Sequence, residues 1–234
     1  MTDLAAFPIT KKWPPQHPDR IQLYAVNSPN GVKVSIMLEE TGLPYEPHLV
    51  RFDQQEQKSP EFRSLNPYAK IPAMIDPNGP DGAPLPLFES GAILIYLAEK
   101  SGQFLPRAPA ARYETLQWVI FQVANIGPIF GQVGFFHKFE GRHYEDKRPR
   151  DRYVTESRRL LEILDARLAD RAWIMGEEYT IADIATFPLV HNLIRYYAAG
   201  DLVGFTDFPY VARALDAFVA RPAVATGVNI PKRP

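Results

Sequence analysis

Two short clusters in this 234-residue chain carry side chains suited to holding an anion. Ser28 and Asn30 stand in the turn-rich stretch Asn27-Ser28-Pro29-Asn30-Gly31, just ahead of a helical pattern. A hydroxyl, a side-chain amide and the unpaired N–H groups of a helix start can therefore converge on one negative atom. The same residue types also make Asx and Ser turns and cap helices, and spacing alone does not choose between the two roles. The second cluster is Glu89-Ser90, with Ser90 at the expected N-cap of a helix over 91–100. N–H groups there favour a carboxylate and Glu89 can hold an ammonium, although a plain serine cap uses the same residue. The chain contains no cysteine. Disulfide frameworks, thiolate metal sites and a protein cysteine nucleophile are thereby excluded, and sulfur chemistry requires a sulfur that arrives with a ligand.

Other chemistries find little support. The five histidines show no metal-binding spacing, and there is no G-x-S-x-G elbow or glycine-rich phosphate loop. A net charge of -1 offers no broad basic surface for nucleic acid. The first twenty residues hold Lys11, Lys12 and Trp13-Pro14-Pro15 but no apolar stretch of signal-peptide length. The longest unbroken apolar run, 91–98, is far short of the roughly 20 residues that span a bilayer. The expectation is a cytoplasmic protein with no membrane, nucleic-acid or metal partner.

The elements that must position the two clusters follow from the periodicity. Over 21–100, short apolar runs alternate with helical spacing. A strand is predicted at 21–25 and a helix at 32–41, stopping at Gly42. A second strand at 45–52 belongs at an edge, because Pro47 cannot donate to a ladder. A short helix at 60–65, strands at 71–75 and 85–88 forming an antiparallel hairpin, and the helix after Ser90 complete a βαβ-α-ββα order. Beyond Gly102 only helical patterns recur, at 113–125, 152–170, 181–197 and 210–220. Thr180 and Asp183 have capping-box spacing, which assigns Asp183 a structural role. Gly127, Gly131 and Gly134 beside Pro128 read as a kink or a close packing contact. The predicted organisation is an extended arm over 1–20, a small α/β domain over 21–102, a linker over 103–112, an all-helical domain over 113–224 and a tail over 225–234.

Five stretches in this order carry a family resemblance: Ser28-Pro29-Asn30-Gly31, Lys70-Ile71-Pro72, Phe88-Glu89-Ser90-Gly91-Ala92-Ile93, Thr180-Ile181-Ala182-Asp183 and Arg221-Pro222-Ala223-Val224. Together they resemble a glutathione S-transferase over nearly all of 21–224. The Ser-Pro-Asn-Gly turn, Gln57 and Asp151-Arg152-Tyr153 look most like the bacterial Nu class. Asn27, where several relatives carry proline, and Ala214-Leu215, where many carry tryptophan, depart from that pattern.

The resemblance implies a thioredoxin-like domain followed by a helical bundle, and a homodimer. It implies glutathione as co-substrate with no tightly bound cofactor, as two molecules or one glutathione disulfide per site. The implied activity is disulfide reduction with conjugation of electrophiles as a second reaction. Ser28 and Asn30 then stabilise the thiolate, with the Tyr24 phenol as a rival. Glu89 and Ser90 take the γ-glutamyl end, Ile71 before a cis Pro72 pairs with the cysteinyl backbone, and Gln57 and Lys70 take the glycyl carboxylate. Arg152 contacts a second glutathione, and Phe136 and His137 lie on the electrophile side. The competing readings are a noncatalytic module that retains the fold for binding proteins, and a ligand-binding protein with little turnover.

Overall fold

The computed structural model describes residues 4–232; positions 1–3 and 233–234, at the outer ends of the expected arm and tail, lie outside the described residues. The chain divides into two compact units, 1–101 together with 222–234, and 102–221.

The first unit opens with a short helix α1 (Ile9–Lys12) and continues through β1 (Ile21–Ala25), α2 (Pro29–Thr41), β2 (Tyr45–Leu49), α3 (Pro60–Leu65), β3 (Ala73–Asp76), β4 (Leu85–Phe88) and α4 (Ser90–Ser101). The four strands lie in the order β2-β1-β3-β4. β2 runs parallel to β1, and the β1–β3 and β3–β4 pairs are antiparallel. This is the expected thioredoxin-like arrangement, with Pro47 on an edge strand where its missing N–H is tolerated. β1 is interior and buried at all five residues, as a strand covered on both faces should be. Gly42, at φ +68°, closes α2 in the left-handed conformation that glycine accepts without cost.

Residues 4–20, the described part of the expected arm, are not an extended arm. Leu4, Ile9 and Trp13 are buried in one cluster with Tyr24, Val50, Phe62, Leu65, Ala73 and Ile75. The Trp13 indole N–H donates to the Leu49 carbonyl at 3.1 Å, and the Glu46 carboxylate accepts from the Gln16 and His17 backbone amides. Pro14 and Pro15 suggested an arm, but the apolar spacing of Leu4, Phe7, Ile9 and Trp13 decided the outcome: it covers a sheet face that would otherwise meet water.

The second unit is helical, as expected. Its elements are α5 (Pro109–Phe121), α6 (Gly127–His137), α7 (Arg148–Leu168), α8 (Ile181–His191), α9 (Gly200–Val203) and α10 (Pro209–Val219). α5 starts inside the expected linker because Pro109 is well suited to a first helical turn. α6 was not foreseen, since a glycine-rich segment has low helix propensity. Gly134 explains part of its composition: a Cβ there would lie 2.4 Å from the Tyr197 ring. Residues Pro109–His137 run helically for 29 residues, long and apolar enough on those measures alone to cross a bilayer. Arg112, Glu114 and Gln117 break the apolar character of this stretch, so it holds no long unbroken apolar run. One side packs against α7 and α8, while Ile120 and Val123 are exposed on the other. The capping box forms as predicted: Thr180 Oγ1 accepts from the Ala182 amide, and Asp183 accepts from the Thr180 and Ile174 amides, each at 2.9 Å.

The chain then returns to the first unit as α11 (Pro222–Gly227), which packs on α2. The second unit therefore ends before Pro222, and residues 225–227 of the expected tail belong to α11 on α2. A run of small residues, Pro222-Ala223-Val224-Ala225-Thr226-Gly227, permits that close approach.

Candidate active site

The turn after β1 is tight. The Ser28 amide donates to the Val26 carbonyl at 2.7 Å, and Ser28 then takes extended dihedrals as the N-cap of α2, with Pro29 as the first helical residue. α2 thus starts three residues earlier than the apolar pattern suggested, and Asn30 belongs to its first turn instead of to a loop. Gly31 has no room for a side chain: a Cβ would lie 2.1 Å from the Val26 carbonyl oxygen. The Ser28 hydroxyl makes no capping hydrogen bond. It remains partly exposed at a helix start whose first amides have no intrahelical acceptor.

Asn30 is exposed, and its Oδ1 accepts from Lys33 Nζ at 2.8 Å. Lys33 is 1% exposed and also reaches Ser90 Oγ at 3.4 Å. Burial pulls its ammonium down to about 7, while the Glu89 carboxylate pulls in the opposite direction. The two clusters singled out in the sequence are therefore joined through one buried cation. Lys33 was not anticipated: it lies within Gly31-Val32-Lys33-Val34-Ser35-Ile36-Met37-Leu38, eight consecutive residues that are buried only once α2 is packed.

Ser90 is not an N-cap. It is the first residue of α4, and the exposed Glu89 precedes it with φ +72°. A non-glycine residue in that left-handed region carries local strain, a feature often concentrated at functional sites. The Ile71–Pro72 peptide is cis, as the resemblance implied. The paired register of β3 starts at Ala73, which leaves Ile71 outside the ladder. Gln57 lies in the short turn Glu56–Lys58, and its Oε1 is shielded from solvent without a hydrogen-bond partner. The Lys70 carbonyl accepts from Asn66 Nδ2 at 2.6 Å, and its ammonium lies 5.8 Å from the centroid of the exposed Tyr68 ring.

Tyr24, the rival sulfur partner, lies in the packed core of the first unit. Its ring stacks on His48 at 4.7 Å and meets Trp13 edge-on at 5.9 Å, and the residue is fully buried. The hydroxyl is enclosed with no hydrogen-bond partner, and burial raises its pKa well above the usual phenol value. β1 directs Tyr24 into the cluster that the N-terminal residues cover.

Of the residues in the second unit, Arg152 is exposed on α7. Phe136 stacks on Tyr153 at 5.8 Å and touches Phe135 and Tyr144 edge-on, so much of its ring serves packing within that unit. His137 is half-buried at the end of α6.

Comparison with known families decides what this arrangement belongs to. Residues 27–100 match the glutathione S-transferase N-terminal domain, and residues 149–217 match the glutathione S-transferase C-terminal domain. The chain belongs to the glutathione S-transferase family. Among its relatives is the Escherichia coli disulfide-bond oxidoreductase YghU, 39% identical over 91% of this chain and 74% of that protein. The disulfide-bond oxidoreductase YfcG of the same organism is 39% identical over 87% of this chain and 92% of its own length. A glutathione transferase from Burkholderia graminis, solved with two glutathione molecules per subunit, superposes with a TM-score of 0.99 at 70% identity, covering 100% of this chain and 98% of the other. One from Pseudomonas putida, solved with one glutathione disulfide per subunit, gives a TM-score of 0.97 at 65% identity, covering 98% and 100%. Both anion-suited clusters of this transferase lie within the matched N-terminal domain, and Arg152 lies within the matched C-terminal domain.

Proposed function

We propose that this transferase is a Nu-class, glutathione-dependent disulfide-bond reductase that uses the thiolate of bound glutathione as its nucleophile. The observation that carries the reading is the unspent Ser28 hydroxyl at the head of α2, next to an Asn30 amide whose oxygen is already engaged. A thiol ordinarily ionises near 8.5, so a small minority is thiolate at neutral pH. Lowering that value by about 2 units takes roughly 2.7 kcal/mol of selective stabilisation, within reach of a few aimed donors. The absence of cysteine and the named activities of YghU and YfcG support the same assignment.

The chemistry balances without another oxidant or reductant. The glutathione thiolate attacks one sulfur of the substrate disulfide, the S–S bond breaks, and the departing thiolate takes up a proton. A second glutathione, as thiolate, attacks the resulting mixed disulfide and releases the second substrate thiol, with glutathione disulfide as the oxidised product. Ser28 and Asn30 donate to the sulfur. Ser90 and Glu89 hold the carboxylate and ammonium of the γ-glutamyl end, and Ile71 pairs with the cysteinyl backbone. Gln57 and Lys70 hold the glycyl end; the enclosed, partnerless Gln57 Oε1 suits an arriving donor. Arg152 serves the second glutathione, while Phe136 and His137 are assigned to the electrophile side. Conjugation of electrophiles, in detoxification, is the second activity of the same thiolate.

The reaction belongs in the cytoplasm, where glutathione is kept reduced. The working unit is a homodimer, supported by the exposed apolar side chains of Tyr113, Ile120 and Val123 along one helical run. Light scattering should report twice the 26.5 kDa chain mass. The activity is tested with glutathione and 2-hydroxyethyl disulfide, with absorbance at 240 nm following thiolate in the complex. Turnover above buffer that disappears when Ser28 and Asn30 are both replaced by alanine is the expected result. Buffer-level rates together with no glutathione binding by calorimetry would instead identify a noncatalytic module.

A further inference from the structure

Asn30 and Ser90 share an ambiguity that the proposed chemistry cannot tolerate. An asparagine amide can present either its oxygen or its NH2, and a serine hydroxyl can accept or donate. Facing a thiolate or a carboxylate, the oxygen of either would be repulsive. Both residues touch Lys33, whose ammonium has three donors and no acceptor. Its Nζ lies 2.8 Å from Asn30 Oδ1 and 3.4 Å from Ser90 Oγ.

We infer that Lys33 is a positioning residue that turns both side chains into donors toward glutathione. With its oxygen held by Lys33, Asn30 can present only NH2 on its free side. With a lone pair of Ser90 directed at the same ammonium, the hydroxyl proton is available to a carboxylate. The i, i+3 spacing of Asn30 and Lys33 along α2 puts the pair on one helix face. Lys33 is 1% exposed, so its ammonium is enclosed beside the Asn30 and Ser90 side chains in the folded unit. A buried lysine without a role would be a costly choice here, since an apolar residue of similar volume avoids the desolvation of a charge. Arrival of the thiolate and the γ-glutamyl carboxylate favours the charged form of Lys33, which strengthens the same arrangement.

The inference rests on the thiolate reading above, and its test separates the two. Lys33→Met, Asn30→Ala and the double variant are compared with wild type by titrating bound glutathione at 240 nm and by pH–rate profiles. Lys33→Gln is run in parallel, because a neutral amide no longer forces the Asn30 oxygen inward and gives the same expectation should the methionine variant fail to fold. Lys33→Met should raise the bound thiol's pKa by about one unit, a tenfold loss of thiolate at neutral pH. Its rate should recover toward wild type at alkaline pH, which a merely misfolded site would not do. The double variant should match Asn30→Ala, since Lys33 acts on the sulfur through that amide. An unchanged thiol pKa in folded Lys33 variants, or additive effects of the two substitutions, overturns the inference. A wild type that binds glutathione without ionising it overturns the thiolate reading itself.

Discussion

The Ser35 hydroxyl donates to the Gly227 carbonyl at 2.7 Å across 192 residues of sequence, tying α11 to the helix that bears Asn30 and Lys33. Both ends of this bond are buried. Ser35→Ala removes this donor while the Ile230 amide still donates to the Gly227 carbonyl at 3.2 Å, so a loss of about 0.5–1.5 kcal/mol is expected. Urea unfolding measures it; a change within a few tenths would show that water or a backbone shift replaces the bond.

Gly31 sets how closely α2 follows the end of β1. A Cβ at 2.1 Å from the Val26 carbonyl oxygen meets backbone, which cannot rotate away. Gly31→Ala must displace Ser28 and Asn30 together. A shift on the 1 Å scale predicts a loss of roughly 10²-fold in kcat/KM for glutathione. Steady-state kinetics with varied glutathione checks this, and near-normal values would mean the turn is not part of the reacting geometry.

Tyr24 offers the opposite expectation. Its hydroxyl is buried with no hydrogen-bond partner, inside the cluster that the N-terminal residues cover. Tyr24→Phe should leave disulfide reduction unchanged and alter stability by no more than about 1 kcal/mol, in the stabilising direction if the desolvated hydroxyl is a net cost. A large fall in turnover by Tyr24→Phe would return the phenol to consideration as a sulfur ligand.

Lys33 also leaves a signature in stability. Its folded pKa of about 7 lies below the ordinary lysine value of 10.5, so between these values the unfolded chain binds more protons. Stability from this group is therefore lowest below about 7 and rises as pH climbs toward 10.5. Asn30 and Ser90 lie within hydrogen-bond reach of the ammonium, and the Glu89 carboxylate favours its charged form. Denaturant unfolding at pH 7, 8 and 9 should show a steeper rise for wild type than for Lys33→Met. Parallel lines would mean that the lysine is solvated in the folded protein.

Local pattern alone specified much of this protein. Gly42 marked the end of α2, Pro47 confined β2 to an edge, and Thr180 with Asp183 announced the start of α8, because caps and ladder hydrogen bonds involve neighbours in sequence. The absence of cysteine likewise required any sulfur nucleophile to come from outside. What each side chain faces was decided elsewhere. Tyr24 and Leu23 differ in sequence only by strand parity, and the covering by residues 4–13 turned the tyrosine into core. Lys33 reads as an ordinary helix-surface lysine until α4 and α11 enclose α2 and bring Ser90 to its ammonium. Burial is a property of segments that meet in space after long stretches of chain, so the charge that orients the candidate site became visible only in the folded packing.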